Sequence, residues 1–143
     1  LLLDYEAHRN MQNYVAQLNK FYLKSPELWE IDYSWDGFSW ISNDDNSQSI
    51  ISFRRIDKSG NEIITVCNFV PVDREDYRIG VPRAGSYRRI FCSDDAKFGG
   101  KTQTARSFRS EKIPMHGYEN SVALSIPAMS VSYFRVPAGR DKK

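Results

Sequence analysis

The chain has 143 residues and a mass of 16.6 kDa, which fits one domain with an appended element and excludes a two-domain enzyme. The 20 basic and 18 acidic residues leave a formal charge of +2, and 41% of the residues are apolar. This balance is typical of a soluble globule and disfavours both a disordered chain and a strongly basic nucleic-acid binder. A mean hydropathy of -0.56, without an apolar run near about 18 residues, excludes a transmembrane helix.

The cysteines and histidines indicate neither a disulfide framework nor a metal centre. Cys67 and Cys92 stand alone inside apolar runs, which is typical of buried thiols in a reducing cytoplasm. His8 and His116 lie far apart, and neither has another His or Cys at ligand spacing. We therefore expect no metal and no cofactor, and a cytoplasmic protein.

Residues 5–24 are predicted to form one long amphipathic helix. Apolar positions recur at steps of three and four along it, including Met11, Val15, Leu18 and Tyr22. The motif Ser25-Pro26-Glu27 resembles the start of a second, short helical turn. Because an isolated helix of this length is marginal in water, its apolar stripe must be buried against something.

After Ile31 the sequence changes to short β-branched and aromatic runs, separated by Gly, Asp, Asn or Pro about every ten residues. This spacing predicts an antiparallel β-sandwich. Gly60 supplies the positive φ of a hairpin turn over residues 57–61. Residues 93–118 carry no sustained period and are predicted to be a long loop, either mobile or functional. The predicted strands are Phe38–Ser42, Ser49–Ile56, Glu62–Val70, Tyr77–Val81, Ser86–Cys92, Ser121–Ile126 and Ser130–Val136.

The sequence contains no recognisable catalytic constellation. The adjacent acids Asp44-Asp45 and Asp94-Asp95 fall at predicted turns, where aspartate bonds its own backbone, rather than facing each other across a cleft. Phosphate-binding glycine loops, nucleophile elbows and zinc motifs are missing from the sequence. The basic residues between Arg54 and Lys112 are balanced by acids, so nucleic-acid binding is not expected. We therefore assign no catalytic residue to this chain.

Aromatic residues make up 13% of the chain, and exposed aromatic faces are where sugar rings stack. Trp35 lies in a turn-like segment and is a candidate sugar contact, whereas the apolar neighbours of Trp29 and Trp40 predict that both are in the core.

The order of several short motifs resembles the C-terminal region of bacterial 1,4-alpha-glucan branching enzymes, the glycogen branching enzymes. Residues 2–22 resemble the last helix of their catalytic barrel, and the later motifs resemble their C-terminal β domain. The match runs in order over about residues 1–136, although Val70 stands where threonine is common and residues 101–112 match nothing. The motifs are Gly37-Phe38-Ser39-Trp40-Ile41, Ser52-Phe53-Arg54-Arg55, Val66-Cys67-Asn68-Phe69-Val70-Pro71-Val72, Tyr77-Arg78-Ile79-Gly80-Val81-Pro82, Phe98-Gly99-Gly100 and His116-Gly117.

The resemblance implies a parent enzyme of glycoside hydrolase family 13 that makes alpha-1,6 branches in glycogen by a retaining chain transfer. Its catalytic acids would lie upstream of Leu1, so none can be assigned here. The implied organisation is a truncated last barrel helix over 1–30, an alpha-amylase C-terminal-domain-like sandwich over 31–137 and a disordered tail over 138–143. The implied partners are the parent's barrel and, through the parent, alpha-glucan. Trp35 and Tyr118 are the candidate glucan contacts.

Without the barrel, the helix is expected to dock on the sandwich, to associate with a second copy, or to be poorly ordered. Neither membrane nor nucleic acid is an expected partner. The alternatives are a free-standing carbohydrate-binding module, which would bind glucan alone through Trp35, and a small enzyme active by itself.

Overall fold

The computed structural model describes residues 6–31, 37–45 and 50–138. The helix α1 precedes the strands, and short 3₁₀ turns cover Pro26–Leu28 and Ala96–Phe98. The long helix is confirmed, with a first turn carrying the acidic Glu6. The bounds are α1 Glu6–Lys24, β1 Phe38–Asp45, β2 Ile50–Ile56, β3 Glu62–Asn68, β4 Arg74–Val81, β5 Ser86–Cys92, β6 Arg106–Glu111, β7 Asn120–Ile126 and β8 Ser130–Arg135.

The eight strands are hydrogen-bonded to one another in the order β1-β2-β3-β8-β5-β6-β7-β4, and each of these pairs is antiparallel. The first part of β6 pairs with β5, while Ser110 and Glu111 at its end pair with β7. A strand that changes partners in this way turns the corner between two layers. The mainly β antiparallel fold preceded by one long helix is therefore confirmed.

A single apolar core lies between the two layers and takes side chains from all eight strands. β3 is the central strand, and its residues from Glu62 to Val66 are buried on both faces, as its apolar sequence predicted. The hairpin turn after β2 is also confirmed, because Gly60 adopts φ 86° and Asp57 accepts bonds from the backbone N–H groups of Ser59 and Asn61. Core side chains include Ile64, Val66, Ile79, Tyr87, Leu124, Ile126 and Phe134.

The larger layer contains β1, β2, β3, β8, β5 and the first part of β6, and the smaller layer contains β4, β7 and the end of β6. α1 docks on the outer face of the larger layer, which is one of the three outcomes expected from the sequence. The ring of Phe21 stacks on Phe91 of β5 with centroids 4.9 Å apart and contacts Tyr133 of β8 at 5.0 Å. The ring of Tyr14 meets Phe98 edge-on at 5.1 Å. The docking is shallow, because no residue of α1 is buried.

The prediction of a structureless loop over residues 93–118 is wrong. This segment contains the second 3₁₀ turn and all of β6, and side chains fasten it to the sandwich. Asp95 accepts a bond from the backbone N–H of Lys97 and another from the Thr104 hydroxyl, while Asp94 accepts one from Thr102 at 2.5 Å. These turn roles of the Asp94-Asp95 pair agree with its predicted place in a turn.

Asp44 and Asp45 belong to the end of β1, so the prediction that they form a turn is wrong. Trp35, the candidate sugar contact, and all but the first residue of the tail predicted over 138–143 lie outside the described residues.

Candidate functional site

The most distinctive surface of the described residues is an exposed apolar stripe on α1. We define the stripe as Met11, Val15 and Tyr22, whose spacing places them on one face of the helix. All of these side chains are exposed, Met11 by 61%. Leu18 is half-buried beside them. Contiguous exposed apolar side chains on a helix are typical of a surface that contacts another part of a protein.

A second exposed apolar feature lies on the outer face of β1 and β2. The ring of Trp40 meets Phe38 edge-on with centroids 5.0 Å apart, and Phe38 stacks on Phe53 at 5.1 Å. Trp40 is 45% exposed and Trp29 is 39% exposed, so the prediction that both are core residues is wrong. The sequence shows that their neighbours are apolar, but Trp40 lies on β1, which is an edge strand, and Trp29 lies just after the turn Pro26–Leu28.

Tyr118 is half-buried against the core, and one side of its ring is occupied by an arginine. The Arg54 guanidinium lies 5.8 Å from the ring centroid and donates to the Tyr118 hydroxyl at 3.2 Å. Arg54 also donates to the buried carboxylate of Glu62, at 2.7 Å from Nε. Burial lowers the pKa of Arg54, but the hydrogen bonds to Glu62 and Tyr118 outweigh it and leave the pKa raised. Contact between Tyr118 and glucan stays a prediction.

Two open clefts, of about 250 and 590 Å³, flank residues 101–105. Arg89 lies between them and donates to the carbonyl oxygens of Thr104, Ser125 and Gln103 at 3.2, 2.9 and 3.2 Å. Burial lowers the pKa of Arg89, and its bonds hold the 101–105 segment in place.

The carboxylates that line these clefts are engaged in structural bonds. Asp73 accepts from the backbone N–H of Ala128 at 2.8 Å and pairs with Lys101 at 3.3 Å, and its pKa is lowered mainly by the Ala128 bond. Glu75 accepts from the Ser125 hydroxyl. Such carboxylates hold loops together, unlike a facing acid pair that cleaves a glycosidic bond.

Neither a metal centre nor a membrane-spanning helix is present among the described residues 6–31, 37–45 and 50–138. There, no group of three or more His, Cys, Asp or Glu side chains is close enough to hold a metal ion. Over the same residues, no helix is both long and apolar enough to cross a bilayer. Cys67 and Cys92 are both free thiols, and burial raises the pKa of Cys67.

The fold is a two-layer antiparallel β-sandwich with an apolar core and with further apolar side chains exposed on α1 and β1. The profile of the alpha amylase C-terminal all-beta domain matches residues 40–137, and the chain belongs to this family.

The chain is also similar to several 1,4-alpha-glucan branching enzymes GlgB. The enzyme from Halothermothrix orenii is 43% identical over 137 residues, which are 94% of this chain and 22% of that enzyme. The enzyme from Prochlorococcus marinus strain MIT 9515 is 41% identical over 136 residues, 94% of this chain and 18% of that enzyme. The enzyme from Aquifex aeolicus is 43% identical over 136 residues, again 94% of this chain and 22% of that enzyme.

The chain thus spans about a fifth of the length of the curated relatives it matches. The resemblance to the C-terminal region of branching enzymes, expected from the order of short motifs, is confirmed. A free-standing carbohydrate-binding module is not favoured, because each of these relatives is a much longer branching enzyme. Sequence reasoning missed the exposed aromatic group of β1 and β2, whose signal was the alternation of Phe38 and Trp40 on one strand face.

Proposed function

We propose that this chain is the C-terminal sandwich of a 1,4-alpha-glucan branching enzyme, carrying the last helix of the catalytic barrel, and that it supports the barrel without supplying catalytic residues. The observation that carries this proposal is the exposed stripe of Met11, Val15 and Tyr22 on a helix whose other face is docked on the sandwich. A helix with two apolar faces is suited to lie between two bodies. The relatives are about five times longer, which leaves room for the second body.

The proposed parent forms alpha-1,6 branches in glycogen by transferring glucan chains, in the cytoplasm. Two free thiols support a reducing compartment. Glucan would reach this part of the enzyme through the parent, with Tyr118 and Trp35 as the proposed contacts. One side of the Tyr118 ring is taken by Arg54, so a sugar would have to use the opposite side.

A chimera tests the supporting role. The 137 matching residues of the Halothermothrix orenii enzyme are replaced by the corresponding part of this chain, and amylose branching is followed by the loss of iodine staining. We expect the chimera to be active. The double change Met11→Glu and Val15→Glu should lower its activity and its thermal unfolding temperature together, because it places carboxylates in an apolar contact.

The matched control is the double change Gln12→Glu and Ala16→Glu, which adds the same charge at the same spacing on exposed positions outside the stripe. We expect this control chimera to keep the activity of the unchanged chimera. Equal activity and equal unfolding temperatures in the stripe and control chimeras would contradict the supporting role.

A glucan titration of the chain alone addresses the carbohydrate-binding module. Affinity for maltooligosaccharide that is lost on Trp35→Ala would favour the carbohydrate-binding module. A flat titration would refute this alternative. Unchanged iodine staining of amylose after incubation with the chain would refute the other alternative, that the chain is a small enzyme active by itself.

A further inference from the structure

The helix α1 is attached to the sandwich by shallow contacts of its own and by the residues that follow it. Its own contacts are those of half-buried rings and a hydrogen bond from the Asn13 amide to the carbonyl oxygen of Lys97 at 3.1 Å, and none of its residues is buried. In the next segment, by contrast, the side chains of Ser25 and Glu27 are almost completely buried. We call residues 25–30 the joint. It contains the 3₁₀ turn Pro26–Leu28, whose first position is the conformationally fixed Pro26.

The joint is fastened to two strands and one turn of the sandwich. The buried carboxylate of Glu27 forms an ion pair with Arg135 of β8. The carbonyl oxygen of Leu28 accepts from Arg55 of β2 at 3.0 Å. The carboxylate of Glu30 accepts from the backbone N–H of Lys58, in the turn after β2, at 2.9 Å. These bonds fix the position of the joint over the larger layer.

The joint is also bonded back to the helix. The indole N–H of Trp29 donates to the carbonyl oxygen of Tyr22 at 2.8 Å, and the backbone N–H of Ser25 donates to the same oxygen at 3.2 Å. An orientation imposed on the joint is therefore transmitted to the last turn of α1.

Charge explains why an acid is buried at this point. The register of β5 and β8 places Arg88 directly opposite Arg135, and like charges at opposed positions destabilise a strand pair. Glu27 supplies a negative charge to Arg135 of this pair. One of its carboxylate oxygens, Oε1, is buried without a hydrogen-bond partner, so the ion pair is the main interaction that offsets its burial.

We propose that Glu27 is a positioning residue whose ion pair with Arg135 locks the joint and so sets the direction of α1 on the sandwich. The lock is a property of this chain by itself. Its consequence for a barrel, that the same ion pair sets how the barrel lies on the sandwich, rests on the proposed function.

Hydrogen exchange of the whole chain tests the lock. A free helix of this length is marginal in water, so α1 loses its amide protection when it undocks. Arg135→Met leaves the Glu27 carboxylate buried and unpaired, and we expect the amides of α1 to exchange at least about tenfold faster. E27Q removes the charge while Arg135 stays partly in solvent, so a smaller acceleration is expected. The double variant E27Q/R135M should exchange more slowly than R135M, because no unpaired charge remains.

The matched control is E111Q, which removes the ion pair of Glu111 in β6 with Arg78 in β4, both outside α1 and the joint. Amides in the core strands β3 and β7 should keep their protection in every variant. The proposal is overturned if α1 exchanges alike in all variants, if the double variant shows no rescue, or if β3 and β7 lose protection in parallel with α1. If R135M does not fold, the exchange of the α1 amides in E27Q is compared with that in E111Q. Equal exchange in these two variants, or a parallel loss of protection in β3 and β7, then overturns the proposal.

The outcomes separate this proposal from the supporting role. If α1 exchanges alike in all variants while the chimera is active and loses activity on the stripe substitutions, only the proposed lock is refuted. If α1 exchanges faster in R135M while the stripe substitutions leave the activity of the chimera unchanged, only the supporting role is refuted.

Discussion

Replacing Glu62 by Gln should destabilise the sandwich more than any exposed ion-pair change, because Glu62 is the buried acid shared by two arginines. Its carboxylate accepts from Nε of Arg54 at 2.7 Å and pairs with Arg83 at 3.1 Å. The side chain of Glu62 is 4% exposed, against 17% for Arg54 and 35% for Arg83. Breaking a fully buried pair costs about 3–5 kcal/mol, and the partial exposure of both arginines lowers our expectation to about 2–4 kcal/mol.

Urea denaturation followed by circular dichroism measures this loss. With a slope of about 2 kcal/mol per M, the unfolding midpoint should fall by about 1–2 M. The control is Glu111→Gln, because Glu111 pairs with Arg78 at 2.5 Å but is 56% exposed, and a surface pair contributes only about 0–1 kcal/mol. A loss below about 1 kcal/mol for Glu62→Gln, or one no larger than for the control, would refute the reasoning.

Three further predictions concern backbone space, alkaline stability and sugar contact. Gly80→Ala should lower the unfolding free energy by about 1–3 kcal/mol in the same urea titration, because an added Cβ would overlap the carbonyl oxygen of Met115; an unchanged midpoint would contradict it. Burial raises the pKa of Tyr133 to about 12, whereas an unfolded tyrosine titrates near 10. The stability from Tyr133 is therefore complete below about pH 10 and is lost toward pH 12, at about 1.4 kcal/mol per pH unit, and Tyr133→Phe should flatten this decline in unfolding free energy; an equally steep decline would count against it. If the Tyr118 ring contacts glucan, maltooligosaccharide affinity should survive Tyr118→Phe, which removes only the hydroxyl bonded to Arg54, and fall several-fold in Tyr118→Ala; equal affinities would remove the contact.

The sequence predicted most of the fold where burial repeats with a regular period. The helix, the central strand β3 and the hairpin at Gly60 each carry a local signal strong enough to survive tertiary context. β6 was missed because only Phe108 of its residues is buried, so the strand shows no alternation of apolar and polar positions. Its place is set instead by pairing with β5 and by the bonds of Arg89, which no window of the sequence shows.

The candidate site was predictable in kind but not in detail. The apolar stripe of α1 follows directly from its spacing, whereas the choice of Phe91 and Tyr133 as the docking partners of Phe21 depends on the register of β5 and β8. The burial of Glu27 could not be foreseen either, since an acid after proline ordinarily marks an exposed first turn. Trp29 and Trp40 were misplaced because apolar neighbours in sequence do not show which sheet face is covered.

The claim that this chain supports catalysis without performing it is tested most directly by one iodine-staining assay of amylose, run at equal molar concentrations of the chain alone and of the chimera described above. The account predicts that staining declines with the chimera and stays unchanged with the chain. A decline with the pure chain alone would contradict it.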